Sequence, residues 1–422
     1  MKAEIITIGD EILIGQTVDT NSTWLAENLH PLGVRVNRIV SITDTRNAIR
    51  EAVEDSFSRA DIVLMTGGLG PTQDDITKET LAEFFDTELE RDQEVLKGIE
   101  EFFRSKGRPV LEVNRAQADL PKGARILKNR KGTAQGMWFE RDGKVLISMP
   151  GVPYEMKCIM DEGGFEMLRE RFNAPRIVHR TVLTLGIGES FLADLMSDWE
   201  TSLRNEGLSL AYLPSPGLVR LRLSGFAENG AAQKVEERIA HYIEELERRV
   251  PQHAFGYEKQ TIAEVVGALL TERGATLSLA ESCTGGYISH LVTSVAGCSV
   301  FYKGGVTAYA NEAKTAMINV PAALIETHGA VSEEVVRAMA EGARKRFGTT
   351  YAIATSGVAG PDGGTADKPV GTVWMALAGP ENTLTERHQL GRSRVGNITV
   401  SALLALNWLR IQILSKQFEI SE

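Results

Sequence analysis

Twice along the chain a short apolar run passes into a Gly-Gly pair and then into helical sequence. The first is "DIVLMTGGLGPTQDDITKE", residues 61–79, and the second is "LSLAESCTGGYISHLV", residues 277–292. A strand delivered through glycine into a helix is the junction of layered α/β folds, whose ligands sit beyond the carboxyl ends of the strands. The expected fold class is therefore α/β, with two three-layer α/β/α domains. Around the first junction, "AEIITIG", "RVNRIVSIT", "ARILKN", "GMWFE" and "KVLISMPG" read as further strands. Around the second, "FYKGGVTAYA", "TYAIATSG" and "GTVWMALAG" do the same.

Between them lies a different pattern. "IVHRTVLTLG", "ESFLADLMSDWE", "LSLAYLPSPGLVRLRLSG" and "AAQKVEERIAHYIEELERR" describe a small α+β module, with "PSPG" turning one strand into the next. The expected division is 1–172, 173–252 and 253–422, the middle module connecting or dimerising. Thr261 opens a helix that ends at Gly274.

The chain has 422 residues, 43% hydrophobic and 24% charged, which suits soluble multidomain material. No run of about 18 apolar residues predicts a membrane span, and "MKAEIITIGDEILIG" is a strand and loop rather than a signal peptide. A cytoplasmic location is expected. Cys158, Cys283 and Cys298 lack the spacing of a disulfide scaffold or a zinc site. The net charge of −10 disfavours a nucleic-acid partner and leaves small ligands as the expectation. The middle module and the apolar last helix make a homodimer the expected assembly.

At the first junction, Gly67, Gly68 and Gly70 let backbone approach a phosphate, the helix start favours anions, and Asp74 and Asp75 can hold a divalent cation. Asp10 and Glu11, after the first strand, open on the same sheet edge, with Asp44 a further candidate. The plain alternative is that these acids cap helices. A Walker loop is absent.

At the second junction Ser282 and Cys283 are both nucleophile candidates. His290 lies about 12 Å along the helix and cannot be the base, and His328 and His388 show no relation to the site. Lysine remains, if burial keeps it partly neutral. Tyr309 and Lys314 in "YANEAK" can meet across a turn, giving a Ser–Tyr–Lys set, although Tyr309 as packing and Lys314 as a solvated lysine fit the pattern too. The amides of Thr284, Gly285 and Gly286 form a candidate oxyanion or phosphate nest. The loop "TSGVAGPDGGTADKPVG" brings Ser356, Gly357, Ala359 and Gly360, while Ser299, Arg392 and Arg394 are further binding candidates.

The TGG-x-G segment with its acids resembles the molybdopterin-binding family. With "GDEILIGQTVDTNSTWLAENL", "NRAQADLPKGARIL", "MPGVPYEM", "LAESCTGG", "AVSEEVVRAMAEGA" and "ATSGVAGPDGGTADKPVGTVW", essentially the whole chain resembles the competence/damage-inducible CinA family. The resemblance implies nicotinamide mononucleotide deamidation at the carboxy-terminal site, without a cofactor, with Ser282 as nucleophile and Tyr309 and Lys314 handling the proton. It also implies metal-dependent ADP-ribose hydrolysis in the first domain. There Asp74, Asp75, Asp10 and Glu11 would organise the metal, and Gly67, Gly68, Gly70, Thr72 and Asn114 the nucleotide. A protein whose two pockets bind nucleotide or pterin without turnover is the alternative.

Overall fold

A computed structural model describes residues 1–72, 74–172, 176–227, 231–391 and 393–415. The chain divides into two compact units, Met1–Val178 with Phe226–Val235, and His179–Gly225 with Glu236–Glu422.

The first unit is built on six strands: β1 (Lys2–Ile8), β2 (Arg35–Ile42), β3 (Ile62–Thr66), β6 (Arg125–Leu127), β7 (Gly136–Arg141) and β8 (Lys144–Met149). Their order is β2-β1-β3-β8-β7-β6. The first four run parallel and β7 runs against them, while β6, antiparallel to β7, runs with them again. Alternation sends Ile5, Leu64 and Ile147 to one face, where the helices Thr20–Leu29 and Pro153–Ile159 cover them. Ile6, Val63, Met65 and Leu146 take the other face, beneath Arg46–Arg59 and Thr77–Phe84. Two layers of helix around a sheet buried on both faces bear out the α/β expectation. A separate pair, β4 (Leu89–Arg91) and β5 (Asp119–Pro121), escapes sequence reading because three-residue strands carry no period.

The second unit contains the α+β module and the last sheet. The module orders its strands β10-β11-β9-β12: Ser209–Ser215, Leu218–Ala227, Arg176–Leu185 and Ala254–Tyr257. The expected hairpin is present, with Ser215 opposite Leu218 across Pro216-Gly217. The last sheet has the order β14-β13-β15-β16-β17, comprising Tyr302–Thr307, Leu277–Glu281, Tyr351–Gly357, Thr372–Ala378 and Thr383–Gln389. β14, β13 and β15 are parallel, whereas β16 and β17 are antiparallel.

One face of this sheet presents Leu279, Ile353 and Met375 to the helices Ile262–Glu272 and Arg394–Leu414. The other is lined by Ala280, Ala352, Ala354, Ala376 and Ala378, small enough for the helix Glu333–Phe347 to lie close. Thr261 caps its helix as expected, its hydroxyl accepting from the Glu264 amide while the Glu264 carboxylate accepts from the Thr261 amide. Arg394–Leu414 is long and apolar enough to cross a membrane by length and composition, yet most of it packs against this sheet.

Candidate functional site

In each sheet the first strand lies between the second and third of its own series: β1 between β2 and β3, and β13 between β14 and β15. The crevice where strand order changes direction is where open α/β sheets bind ligands. Both glycine junctions open there.

In the second unit Glu281 pairs with Thr307 on one side and Thr355 on the other, so the next residues of three strands emerge together. Ser282 follows Glu281, and its amide donates to the Thr355 carbonyl at 2.9 Å. The turn needs Gly286, whose φ of 97° is left-handed and leads into the helix Tyr287–Thr293. That helix start is already occupied. The buried Glu281 carboxylate accepts from the amides of Gly286 (3.1 Å), Ile288 (3.0 Å) and Ser289 (2.8 Å), and from the Ser289 hydroxyl (2.7 Å). The Gly285 amide donates to the Ser282 carbonyl at 3.2 Å. Gly285 and Gly286 are thus not free donors, a correction to the expected nest. An internal carboxylate satisfies the helix terminus in place of a ligand. The Thr284 hydroxyl is likewise engaged, 2.7 Å from that of Thr355.

Lys314, on the helix Asn311–Ile318, is 1% exposed. Its Nζ donates to the Tyr309 carbonyl at 3.0 Å, and burial lowers its pKa. The solvated-lysine reading therefore fails. The packing reading of Tyr309 fails too, because its ring is 60% exposed and its hydroxyl accepts from Arg394 Nη2 at 3.0 Å. Among the described residues no hydrogen bond joins Ser282 to Lys314 directly; the lysine's own bond runs to the tyrosine backbone. Cys283 is buried and its thiol is pushed up to about 12, chiefly by desolvation. A thiol in that state supplies almost no thiolate at neutral pH, which leaves the hydroxyl of Ser282 as nucleophile candidate.

The loop after β15 is tied to the start of the last helix. Arg394 Nη1 donates to the Gly360 carbonyl at 2.7 Å, and Asn397 Nδ2 to the Ala359 carbonyl at 3.0 Å. Both acceptors of Arg394 are neutral, so its positive charge stays with the loop. Asn397, buried and unforeseen from sequence, had its signal in "GNIT" immediately after Arg394. Ser356 donates its hydroxyl to Ala330 at 2.6 Å, and Gly357 is pressed against β16, where a Cβ would lie 2.6 Å from the Thr372 carbonyl. Ser299 is exposed on a short 3-10 turn. Arg392 lies outside the described residues.

In the first unit, Gly67 has φ 110°, and a Cβ there would stand 2.3 Å from the Ile8 carbonyl. Loop and strand end approach more closely than any side chain permits. Gly68 rests on Thr77, whose buried hydroxyl has no hydrogen-bond partner among the described residues. Asp75 accepts from the amide of Thr72 at 2.9 Å and from its hydroxyl. Asp74 is exposed beside it. Asn114 is buried and caps its own short helix by accepting from the Leu111 amide at 3.1 Å.

The expected metal set is not gathered. Among the described residues no three His, Cys, Asp or Glu side chains come together as ligands. The physical reason is local pairing: Asp75 is turned onto Thr72, and the Glu11 carboxylate lies over Gly9. Asp10 is exposed at the start of its own short helix, and Asp44 lies just past β2.

Fold and site together define two layered α/β domains, with Ser282 at a strand end of the second and a buried lysine, Lys314, on the helix after the neighbouring strand. Comparison with known proteins then fixes the family. Residues 4–170 match the family described as "Probable molybdopterin binding domain", 179–256 the damage-inducible protein CinA KH domain, and 259–413 the CinA C-terminal domain. A CinA-like protein of Cytophaga hutchinsonii is 46% identical over 411 residues, 97% of this chain and 98% of the relative. One of Flavobacterium psychrophilum is 42% identical over 98% of this chain and 99% of the relative. The crystal structure of competence/damage inducible protein CihA from Agrobacterium tumefaciens is 36% identical, covering 36% of this chain and 93% of its own, with a TM-score of 0.35. The chain belongs to the CinA family.

Sequence reading did not foresee a KH domain in the middle module. KH domains clamp nucleic-acid backbone with a GXXG loop. Here the helices Glu189–Leu195 and Ser197–Asn205 are joined by Met196 alone, without glycine. The missing motif is why the signal was not visible.

Proposed function

We propose that the carboxy-terminal site hydrolyses the ring carboxamide of nicotinamide mononucleotide to nicotinate mononucleotide and ammonia. The observation that carries this reading is the buried Lys314, an amine whose proton is loosened by desolvation, on the helix Asn311–Ile318 that follows β14, and close enough to Cys283, next to Ser282, to feel its charge. Neutral Lys314 accepts the Ser282 proton as the oxygen attacks the carboxamide carbon. The same proton passes to the departing nitrogen when the C–N bond breaks, releasing ammonia and leaving an acyl-serine. Water, deprotonated in turn, opens the ester and restores the hydroxyl. Tyr309 positions Lys314 through its carbonyl and Arg394 through its hydroxyl, and Arg394 supplies positive charge for the nucleotide phosphate.

The test is ammonia release from nicotinamide mononucleotide by the wild type and by folded Ser282→Ala and Lys314→Ala variants. Each substitution is expected to cost on the order of 10³-fold or more. Wild-type rates in both would remove this site from the reaction.

For the first unit we propose a phosphate-bearing nucleotide on the Gly67–Gly70 loop, with ADP-ribose as the substrate. Because the acidic side chains do not converge, no hydrolytic step is routed through a metal. Product analysis with ADP-ribose, with and without divalent cations, tests turnover. Competition with molybdopterin tests the pterin reading that the matching domain family raises.

A further inference from the structure

Three successive residues of the Ser282 turn lean on one residue that no step of the proposed reaction uses. β13 and β15 run parallel with Glu281 opposite Thr355, so the turn begins beside Thr355. The Thr355 carbonyl accepts from the Ser282 amide at 2.9 Å, and its hydroxyl lies 2.7 Å from that of Thr284. The same hydroxyl reaches the buried Cys283 thiol and partly offsets the effect of burial on it. Thr355 itself is fully buried. Alternation along β15 places it on the face of Tyr351 and Ile353, which packs with Leu279 and Met375. A hydroxyl there costs free energy unless it is hydrogen-bonded, and valine has the same shape without that cost. Packing alone does not call for this hydroxyl.

The turn has something to aim. The Gly285 amide donates to the Ser282 carbonyl and closes the turn, and among the described residues the Thr284 amide has no acceptor. Nor does any hydrogen bond among the described residues fix the Ser282 hydroxyl, so the backbone of the turn sets where it points. We propose that Thr355 positions the nucleophile of the proposed deamidation, its hydroxyl holding Thr284 so that the Ser282 hydroxyl and the Thr284 amide face one substrate carbonyl. An uncommitted amide beside the attacking oxygen can receive the negative charge that develops on the carboxamide oxygen. The inference rests on the deamidase reading above and adds the residue that sets the geometry of the turn.

Steady-state ammonia release from nicotinamide mononucleotide by the full chain tests it, with kcat and KM read separately. Thr355→Val is expected to lower kcat about tenfold or more and to leave KM within about twofold, because the turn shifts while the loop tied by Arg394 does not. Thr355→Ser, which keeps the hydroxyl, is expected to hold kcat within about threefold of the wild type. A loss of folding stability would mimic the first result, and a third variant separates the two. Thr355→Val leaves the Thr284 hydroxyl without its partner, whereas Thr284→Val combined with Thr355→Val removes both polar groups and is expected to recover the melting temperature but not kcat. Wild-type kcat in Thr355→Val, equal losses in the valine and serine variants, or recovery of kcat together with stability in the double variant overturns the positioning role alone. No ammonia from the wild type overturns the deamidase reading and this inference with it.

Discussion

Lys314 shows most plainly how the proposed chemistry sets one residue against stability. Its folded pKa lies below 10.5, so the folded chain gives up this proton at a lower pH than the unfolded chain does. The cost of burying the ammonium is fully felt below the folded pKa and fades as pH rises from there towards 10.5. The rate of the proposed deamidation should follow the neutral amine. We expect kcat/KM to rise with pH on a single limb below 10.5 that vanishes in Lys314→Met, measured by ammonia release across pH. The same variant removes a buried charge at similar volume, so its melting temperature at neutral pH is expected to equal or exceed that of the wild type. A fall of several degrees would mean that the lysine is structural. From sequence, Lys314 was distinguishable only as a lysine close to a tyrosine. Its burial depends on Ile318, Val320 and Val335 packing around that helix, a long-range fact that no spacing encodes.

At the scale of elements, the helix Tyr287–Thr293 illustrates what local pattern hides. Its glycines were legible, and so was its place after a strand. What the motif did not reveal is that Glu281, which alternation places inside, folds forward to satisfy that helix's own amides. Replacing Glu281 with Ala strands three amides and the Ser289 hydroxyl. We expect a loss of about 2–4 kcal/mol in denaturant unfolding, accompanied by a fall in the rate of the proposed deamidation because the Ser282 turn loses its brace. Unchanged stability would show that solvent satisfies those amides. Edge strand β17, "TLTERHQ", was missed for a comparable reason: a half-exposed, charged edge lacks the apolar run that marked its neighbours. By contrast β1, β3, β13 and β15 were legible because both of their faces are buried, so nearly every residue is apolar or small.

For the molecule as a whole, the layered classes of both units followed from the two strand-glycine-helix junctions, whereas strand order did not. Nothing in "DIVLM" says that β1 lies between β2 and β3, although that order is what opens the crevice. Charge does act at this scale. The chain carries −10 overall, and the KH module lacks the glycine loop that grips a phosphodiester backbone. We expect no salt-dependent affinity for single-stranded oligonucleotides, measured by fluorescence anisotropy across ionic strength. Micromolar binding that weakens steeply with salt would place a basic surface on this module.

The carboxy-terminal crevice draws on stretches near residues 282, 309, 357 and 394, and the last of these ties down the loop through Gly360 and Ala359. During synthesis, then, Ser282 and Lys314 leave the ribosome before the Arg394 guanidinium and the Asn397 carboxamide that hold the loop after β15 in place. A translation product cut short ahead of that final helix would carry Ser282 and Lys314 while the Ala359–Gly360 loop lacked both of these ties.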